Sequence, residues 1–517
     1  MAVKILLLVV FFGIMVGVGF YCRRHTSGVN EFVLGGRKVG PWLTAFAYGT
    51  SYFSAVVFIG YAGQFGWKYG MAATWIGLGN AVIGSLMAWR VLGRRTRVMT
   101  RHLQSATMPE FFGKRYESET LKLIASGLIF IFLIPYTASL YNGLSRLFEM
   151  AFNMDYTICI LLMAVLTGVY VIAGGYMATA VNDFIQGIIM LGGIVAVIAA
   201  VLKSYGGLME AVAQLAAVED AAVSTQPGVF TSFLGPDPLN LLGVVILTSL
   251  GTWGLPQMVQ KFYAIKDEKA INKGTIISTF FALVVAGGSY FLGGFGRLYQ
   301  GSVDVATEGY DAIIPRMLSQ LSPVLIGVVV VLVLAASMST LSSLVLASSS
   351  TLTLDLLKDH VIKKMDEKKQ IRIMRGLIVV FIAISAIIAV VQYRSSVTFI
   401  AQLMGISWGA LAGAFLAPFV YGLYWKKTSR AGVASSFIFA TGLMTVNLLA
   451  RNILPTFLQS PLNAGAVAMI AGLILVPVVS LLTPGSRPKK TEEIFSCYHE
   501  TSRVSQEVAL GEETSEN

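Results

Sequence analysis

The sequence predicts an all-α polytopic membrane protein of about thirteen transmembrane helices, with a core of two five-helix repeats in inverted orientation, each opening on a broken helix. Three observations predict it. Of 517 residues, 55 % are hydrophobic and only 13 % charged, and a mean hydropathy of +0.72 lies far outside the soluble range. The apolar residues are gathered into runs of about 20, the length a helix needs to cross a bilayer. The second and seventh runs carry Gly, Ser, Thr or Pro at their centres. A break recurring after five spans is what an internal inverted repeat produces, two unrelated kinked helices being the alternative.

The runs lie near 3–21, 41–65, 71–93, 121–151, 156–175, 183–203, 239–262, 275–298, 322–352, 376–393, 397–424, 431–451 and 462–482. The first follows a single Lys4 and no small-residue cleavage site follows it, so it reads as a span and not a secretion signal. A leading helix (3–21), repeats over about 41–203 and 239–424, and trailing helices (431–482) make a transmembrane domain of residues 1–485. Basic clusters follow every second span: Arg23 and Arg24, then Arg94, Arg95, Arg97 and Arg101, then Lys261, Lys266, Lys269 and Lys273, then Lys358 to Arg375, Lys426 to Arg430, and Arg487 to Lys490. By the positive-inside rule the N-terminus is outside and the C-terminus cytoplasmic, which requires an odd number of spans in the cytoplasmic membrane. The outer loops 204–238 and 299–321 carry Pro, Gly and acidic residues and are expected to fold over the outer mouth. The polar tail 486–517, ending in acidic residues, is expected to be disordered.

These features exclude several functions. The net charge of +11 sits in short inter-span clusters that set topology, so no nucleic-acid face is implied. Cys22, Cys159 and Cys497 are far apart, and His25, His102, His360 and His499 fall in or beside basic loops or the tail, so neither a disulfide framework nor an intramembrane metal enzyme is indicated. No Ser-His-Asp constellation is visible and the tail is too short for a kinase. A channel would need stacked carbonyls or charge rings, and no repeated pore loop is present. The chain therefore reads as a non-enzyme with no organic cofactor and no obligate protein partner.

The chemistry is densest at 331–351, an apolar run carrying Ser337, Ser339, Thr340, Ser342, Ser343, Ser348, Ser349, Ser350 and Thr351 with no carboxylate nearby. Hydroxyls unsatisfied in hydrocarbon cost free energy, so this run must face protein or a water-filled cavity. The Ala336 carbonyl lies one turn before the Ser339 and Thr340 hydroxyls, so three neutral oxygens can converge to hold Na+ weakly enough for release. Close helix contacts lined by small residues are the other reading of the same pattern. Span two has Gly49, Thr50, Ser51 and Ser54 at its centre, and span seven has Thr248, Ser249, Gly251, Thr252, Trp253, Gly254 and Pro256. Both are candidates for discontinuous helices that expose backbone carbonyls and amides at the bilayer midplane.

Several segments carry a resemblance: Glu31-Phe-Val-Leu-Gly-Gly-Arg37, Ser51-Tyr-Phe-Ser54, residues 173–187 with their Asn182-Asp183 pair, Trp253-Gly-Leu-Pro-Gln257, Ala336-Ser-Met-Ser-Thr-Leu-Ser342 and Tyr421-Gly-Leu-Tyr-Trp-Lys-Lys427. In this order, over about residues 1–485, they resemble the sodium:solute symporter family, which includes sodium/proline, sodium/pantothenate and sodium-coupled sugar transporters. The resemblance implies a LeuT-type five-plus-five core working by alternating access, with Na+ as coupling ion and a small-molecule solute as cargo. It places a sodium site at the carbonyls of Thr50, Phe53 and Ala336 and the hydroxyls of Ser339 and Thr340. It places Asp183 on the inner sodium exit route; read from the sequence alone, Asp183 equally suits a carboxylate capping span six. For the solute it implies Ser51, Tyr52, Ser54, Trp253, Gln257 and Gln402, the last matching a substrate-binding Gln of sugar transporters. Tyr52 stands where proline-transporting members have an Asp, which breaks the proline pattern. The span-seven context is nearer the pantothenate and monocarboxylate branch, so the expected solute bears a carboxylate: pantothenate, a monocarboxylate, or an amino acid such as proline. No buried Arg or Lys stands out in the sequence as its partner. Proton coupling, or sodium-coupled uptake of a sugar or sialic acid, is the alternative; protons need a titratable group near Ser339, and its helix has none there.

Overall fold

The computed structural model describes residues 2–24, 28–362, 365–395 and 400–498. Lys363, Lys364 and His25 of the basic loops, the start of the run expected from 397, and the tail beyond 498 lie outside these residues. The described chain is helical nearly throughout: α1 (Ala2–Arg23), α2 (Pro41–Tyr52), α3 (Val56–His102), α4 (Glu119–Phe152), α5 (Tyr156–Ser204), α6 (Pro238–Gly254), α7 (Pro256–Ala264), α8 (Glu268–Gly293), α9 (Pro323–Thr351), α10 (Glu367–Ser395), α11 (Ile400–Tyr424), α12 (Arg430–Ala450) and α13 (Pro461–Leu482). Helix starts carry their own signals. The side chains of Ser118, Asp155, Asp237, Asp267 and Ser322 accept from the first free backbone N–H groups of α4, α5, α6, α8 and α9.

Two helices are too long for one crossing. The 47 residues of α3 and the 49 of α5 would run about 70 Å if straight. Each turns at a glycine outside helical geometry, Gly70 (φ 58°, ψ −137°) and Gly175 (φ 58°, ψ −147°). A Cβ at Gly70 would meet the Phe230 carbonyl oxygen at 2.1 Å, and one at Gly175 would meet Phe32 at 2.7 Å. Only glycine fits both the conformation and the approach.

By length and composition the described residues contain ten helices able to cross a membrane, or eleven with the bent pair α6 and α7 taken as one span. The expected count of thirteen is not reproduced on that measure. Two expected runs merge in α3, and the segment Tyr156–Val169 ranks among the shorter apolar helices.

The two expected breaks are present and alike. α2 ends at Phe53 with φ −84° and ψ 120°, and α6 ends at Leu255 with φ −79° and ψ 125°. At Leu255 the cause is Pro256, whose ring disfavours helical backbone in the residue before it. At Phe53 the hydroxyls intervene: Thr50 Oγ1 donates to the Phe46 carbonyl at 2.8 Å and Ser51 Oγ to the Ala47 carbonyl at 2.5 Å, bonds that loosen a helix from within. Outside the break, the strand-like residue before α2 pairs with the one after α7, Val39 N–H donating to Ala264 and Lys266 N–H to Val39 at 3.2 and 3.1 Å. Helix α9 packs against α1, α2, α4, α5 and α10, and from Val329 onward nearly all of it is buried.

The described part of the tail is ordered. Residues 491–498 are helical, and Ile494, Phe495 and Cys497 are buried, with Phe495 beneath the Arg115 guanidinium at 4.9 Å. An amphipathic turn within a polar stretch explains why composition alone missed it.

Candidate cation and solute site

The break in α2 delivers two free carbonyls to the hydroxyl-rich face of α9. Ser339 Oγ lies 3.1 Å from the Thr50 oxygen and 2.9 Å from that of Ala336. Thr340 Oγ1 lies 3.1 Å from Thr50, 3.1 Å from Ala336 and 3.4 Å from Phe53. Five oxygens thus crowd one point, and all five residues are essentially inaccessible to solvent. Two hydroxyls own two protons between them, while three carbonyls offer about six lone pairs, so acceptors outnumber donors. A small hard cation fits that surplus, and the neutral donor set suits a single charge. Among the described residues no group of three or more His, Cys, Asp or Glu could hold a metal ion.

One turn further along α9 the chemistry changes. Lys261, on α7, donates to Ser343 Oγ at 3.1 Å and lies 3.9 Å from Asp183 Oδ2 of α5. Both partners are buried, with side chains 3 % and 0 % exposed. Ser343 is also 2.8 Å from Ser51 Oγ, so α2, α5, α7 and α9 meet here. Asp183 is mid-helix, and its oxygens accept no hydrogen bond among the described residues. The capping reading therefore fails: the second half of α5 begins at Gly175, not at Asp183. Lys261, which the sequence grouped with the topology-setting loop, is the buried basic partner the sequence did not single out, though its partner is a protein carboxylate.

Beyond the break, Tyr52 packs on Trp408 with ring centroids 5.7 Å apart, and Tyr136 meets the same indole at 5.9 Å. The Tyr52 hydroxyl faces Tyr290, which faces Asn80, and the Tyr136 hydroxyl lies between Ser54 and Trp408. The hydroxyls of Tyr52, Tyr136, Tyr290 and Ser54, the Asn80 amide nitrogen and the Trp408 indole nitrogen are buried without a hydrogen bond of good geometry among the described residues. Buried polar atoms left open in this way invite a polar ligand or water.

The sodium:solute symporter family model matches residues 32–440. The chain belongs to the sodium:solute symporter family. Its relatives include the osmoregulated proline transporter OpuE of Bacillus subtilis (strain 168), 29 % identical over 495 residues, 95 % of this chain and 96 % of that protein. A sodium/proline symporter of Staphylococcus aureus (strain JH9) is 31 % identical over 443 residues, 84 % and 83 % of the two chains. Among solved structures, a substrate-bound, outward-open Na+-coupled sialic acid symporter superposes with a TM-score of 0.77 over 93 % of this chain and 97 % of that one, at 17 % identity. MhsT in complex with L-phenylalanine gives 0.53 over 86 % and 98 %, at 14 % identity. These two likenesses show the fold, which is the LeuT type. The symporter is a multi-pass transporter and not an enzyme.

In this symporter the six expected solute residues divide. Tyr52 and Ser54 join the aromatic group, whereas Ser51 turns to Ser343 and the ion pair. Trp253 donates its indole N–H to the Ile83 carbonyl at 2.9 Å, a packing anchor on α3. Gln257 is buried with both amide atoms free of partners among the described residues, and Gln402 is half-buried at the start of α11. Sequence reasoning did not reach Asn80, Tyr136, Tyr290 or Trp408. Aromatic residues on long apolar spans give no signal of the direction they face.

Proposed function

We propose that this chain couples inward sodium flow to uptake of a small carboxylate-bearing solute, with Na+ held by the carbonyls of Thr50, Phe53 and Ala336 and the hydroxyls of Ser339 and Thr340. The single observation that carries the reading is the convergence of those five neutral oxygens across the α2 break. Sodium there ties the broken helix to α9 and orders the adjacent Tyr52 and Ser54 for solute. Each ligand then raises the other's affinity by the same coupling free energy, and a membrane potential adds about 2.3 kcal/mol per charge per 100 mV. Parting of α2 from α9 removes ligands from the ion and releases it past Asp183.

The alternation of basic loops supports a cytoplasmic C-terminus. A recess of about 1040 Å³, lined in part by Lys68 and Arg297 and by Asp220 and Asp237, then opens outward, with Arg297 already paired to Asp220 at 2.7 Å. Proline heads the solute panel because the two relatives carry its name, and Tyr52 in place of an Asp sets a monocarboxylate or pantothenate beside it. The test is uptake of labelled proline, pantothenate, short monocarboxylates, sialic acid and glucose into proteoliposomes under matched sodium and proton gradients. Accumulation of one carboxylate under sodium alone is expected. Accumulation driven by protons in the absence of sodium would refute the coupling.

A further inference from the structure

An apolar groove of about 780 Å³ runs between α1, the first half of α5 and α10, away from the cation and solute site. Its walls include Leu161, Val165, Ile387 and Val391, all more than half exposed on the outer surface of the helix bundle. From Leu161 to Ala173 it follows twelve residues of α5, about 18 Å. That is close to half of the roughly 30 Å hydrocarbon core, the depth of one leaflet.

One end of the groove is charged. Arg23 and Arg375 both line it and lie within electrostatic range of one another. Their end is the Ala173 end: α1 presses Gly19 and Cys22 against Gly174, and Arg375 stands over Phe32, which abuts Gly175. Neither arginine forms an ion pair among the described residues, and Arg375 Nε is buried there without a hydrogen-bond acceptor. Glu31 and Glu367 both turn toward Gly28, where Glu367 accepts from the Val29 N–H at 3.4 Å. Two like charges at the same end of an apolar slot have no anion paired with them among the described residues.

We infer that this groove binds an anionic phospholipid, an acyl chain lying along α5 and α10 and the phosphate bridging Arg23 and Arg375. The groove supplies apolar area of acyl length, and the guanidiniums supply the planar donors that match phosphate oxygens. Basic pockets between helices at the cytoplasmic face select acidic headgroups for this reason. The lipid would brace α1 and α10 against α5, the helix that carries Asp183.

The test is native mass spectrometry of the purified full chain with phosphatidylglycerol and phosphatidylethanolamine of identical acyl chains. The wild type is expected to retain phosphatidylglycerol at least tenfold more tightly. Arg23→Gln and Arg375→Gln are each expected to weaken it about fivefold and to weaken phosphatidylethanolamine, whose ammonium offsets its phosphate, distinctly less. Ala383→Trp, which fills the exposed groove and spares both arginines, is expected to weaken phosphatidylglycerol as well. Arg23 is exposed, so its variant and Ala383→Trp decide the matter even if Arg375→Gln fails to fold. Equal retention of the two lipids, or arginine variants that hold phosphatidylglycerol as the wild type does, would mean unselective annular lipid and overturn the inference. Displacement by inorganic phosphate, or indifference to Ala383→Trp, would equally overturn it, leaving a phosphate site that ignores the groove.

Discussion

The five oxygens around Thr340 and the ion pair around Lys261 hang on successive turns of α9, Ser339 and Ser343 being four residues and about 6 Å apart along the axis. Each ties a half of a broken helix to α9, the first through Thr50 and Phe53 of the α2 break, the second through Lys261 of α7. They differ in charge. The first is built from neutral dipoles, and when no ion is present its hydroxyls donate to its own carbonyls, so emptying it leaves no buried charge behind. The second is built from an acid and a base 3.9 Å apart, whose charged forms are tolerable in a buried site only together. The proposed uptake and release of a cation in every cycle suits the first design, and a permanent fastening suits the second.

The largest effect should come from breaking the fastening. Lys261→Met leaves Asp183 buried without its cation, which costs about 3–5 kcal/mol of stability. The combined variant Asp183→Asn with Lys261→Met removes both charges and should recover most of that loss. Thermal unfolding of the purified variants reads both; a single variant as stable as the wild type would show that the pair does not fasten α7. The exchangeable region should respond differently. Ser339→Ala with Thr340→Ala removes two of the five proposed ligands, each worth roughly 1.5 kcal/mol toward a charged partner, so the sodium concentration for half-maximal uptake should rise about a hundredfold. Without sodium the double variant should lose about 1 kcal/mol for each hydroxyl-to-carbonyl bond removed, and solute affinity at saturating sodium should hold. Retained sodium dependence would displace the cation from this point.

The contrast also explains what could be read from the amino acids. Ser339, Thr340 and Ala336 were legible because hydroxyls on an apolar run have few acceptable surroundings, and helical spacing alone brings the three oxygens together. The α6 break was legible through Pro256, and the α2 break through a hydroxyl cluster that competes with the helix's own bonds. Lys261 was not, because a lysine at the head of Lys266, Lys269 and Lys273 looks like one more topology charge; the hint lay in Phe262-Tyr-Ala-Ile265 after it, an apolar sequence now seen to be fully buried. The runs 41–65 and 71–93, and 156–175 and 183–203, were separated in the sequence, and the turns at Gly70 and Gly175 fall at those separations, whereas length and hydropathy treat α3 as continuous. Tyr136, Tyr290 and Trp408 come from three different helices, and their meeting is a property of packing.

Smaller effects probe the ground between the two regions. Tyr52→Phe deletes a hydroxyl that has no hydrogen bond of good geometry among the described residues, so stability should move by less than about 0.5 kcal/mol. If that hydroxyl serves the solute, half-saturating solute should rise about fivefold, one ordinary hydrogen bond, with sodium dependence intact; an unchanged solute affinity would remove Tyr52 from the pocket.

Ser51→Ala is the finest of these tests, because Ser51 stands one residue after Thr50 yet bonds Ser343 at 2.8 Å. Its loss deprives the ion-pair region of one neutral contact, about 1 kcal/mol. If the fastening also sets the position of the Thr50 carbonyl, half-saturating sodium should rise about two- to fivefold, and that increment should vanish in the Ser339→Ala, Thr340→Ala background. Such non-additivity is the signature of coupled sites. A stability loss with no change in sodium dependence would mean that the two regions share a helix and nothing else.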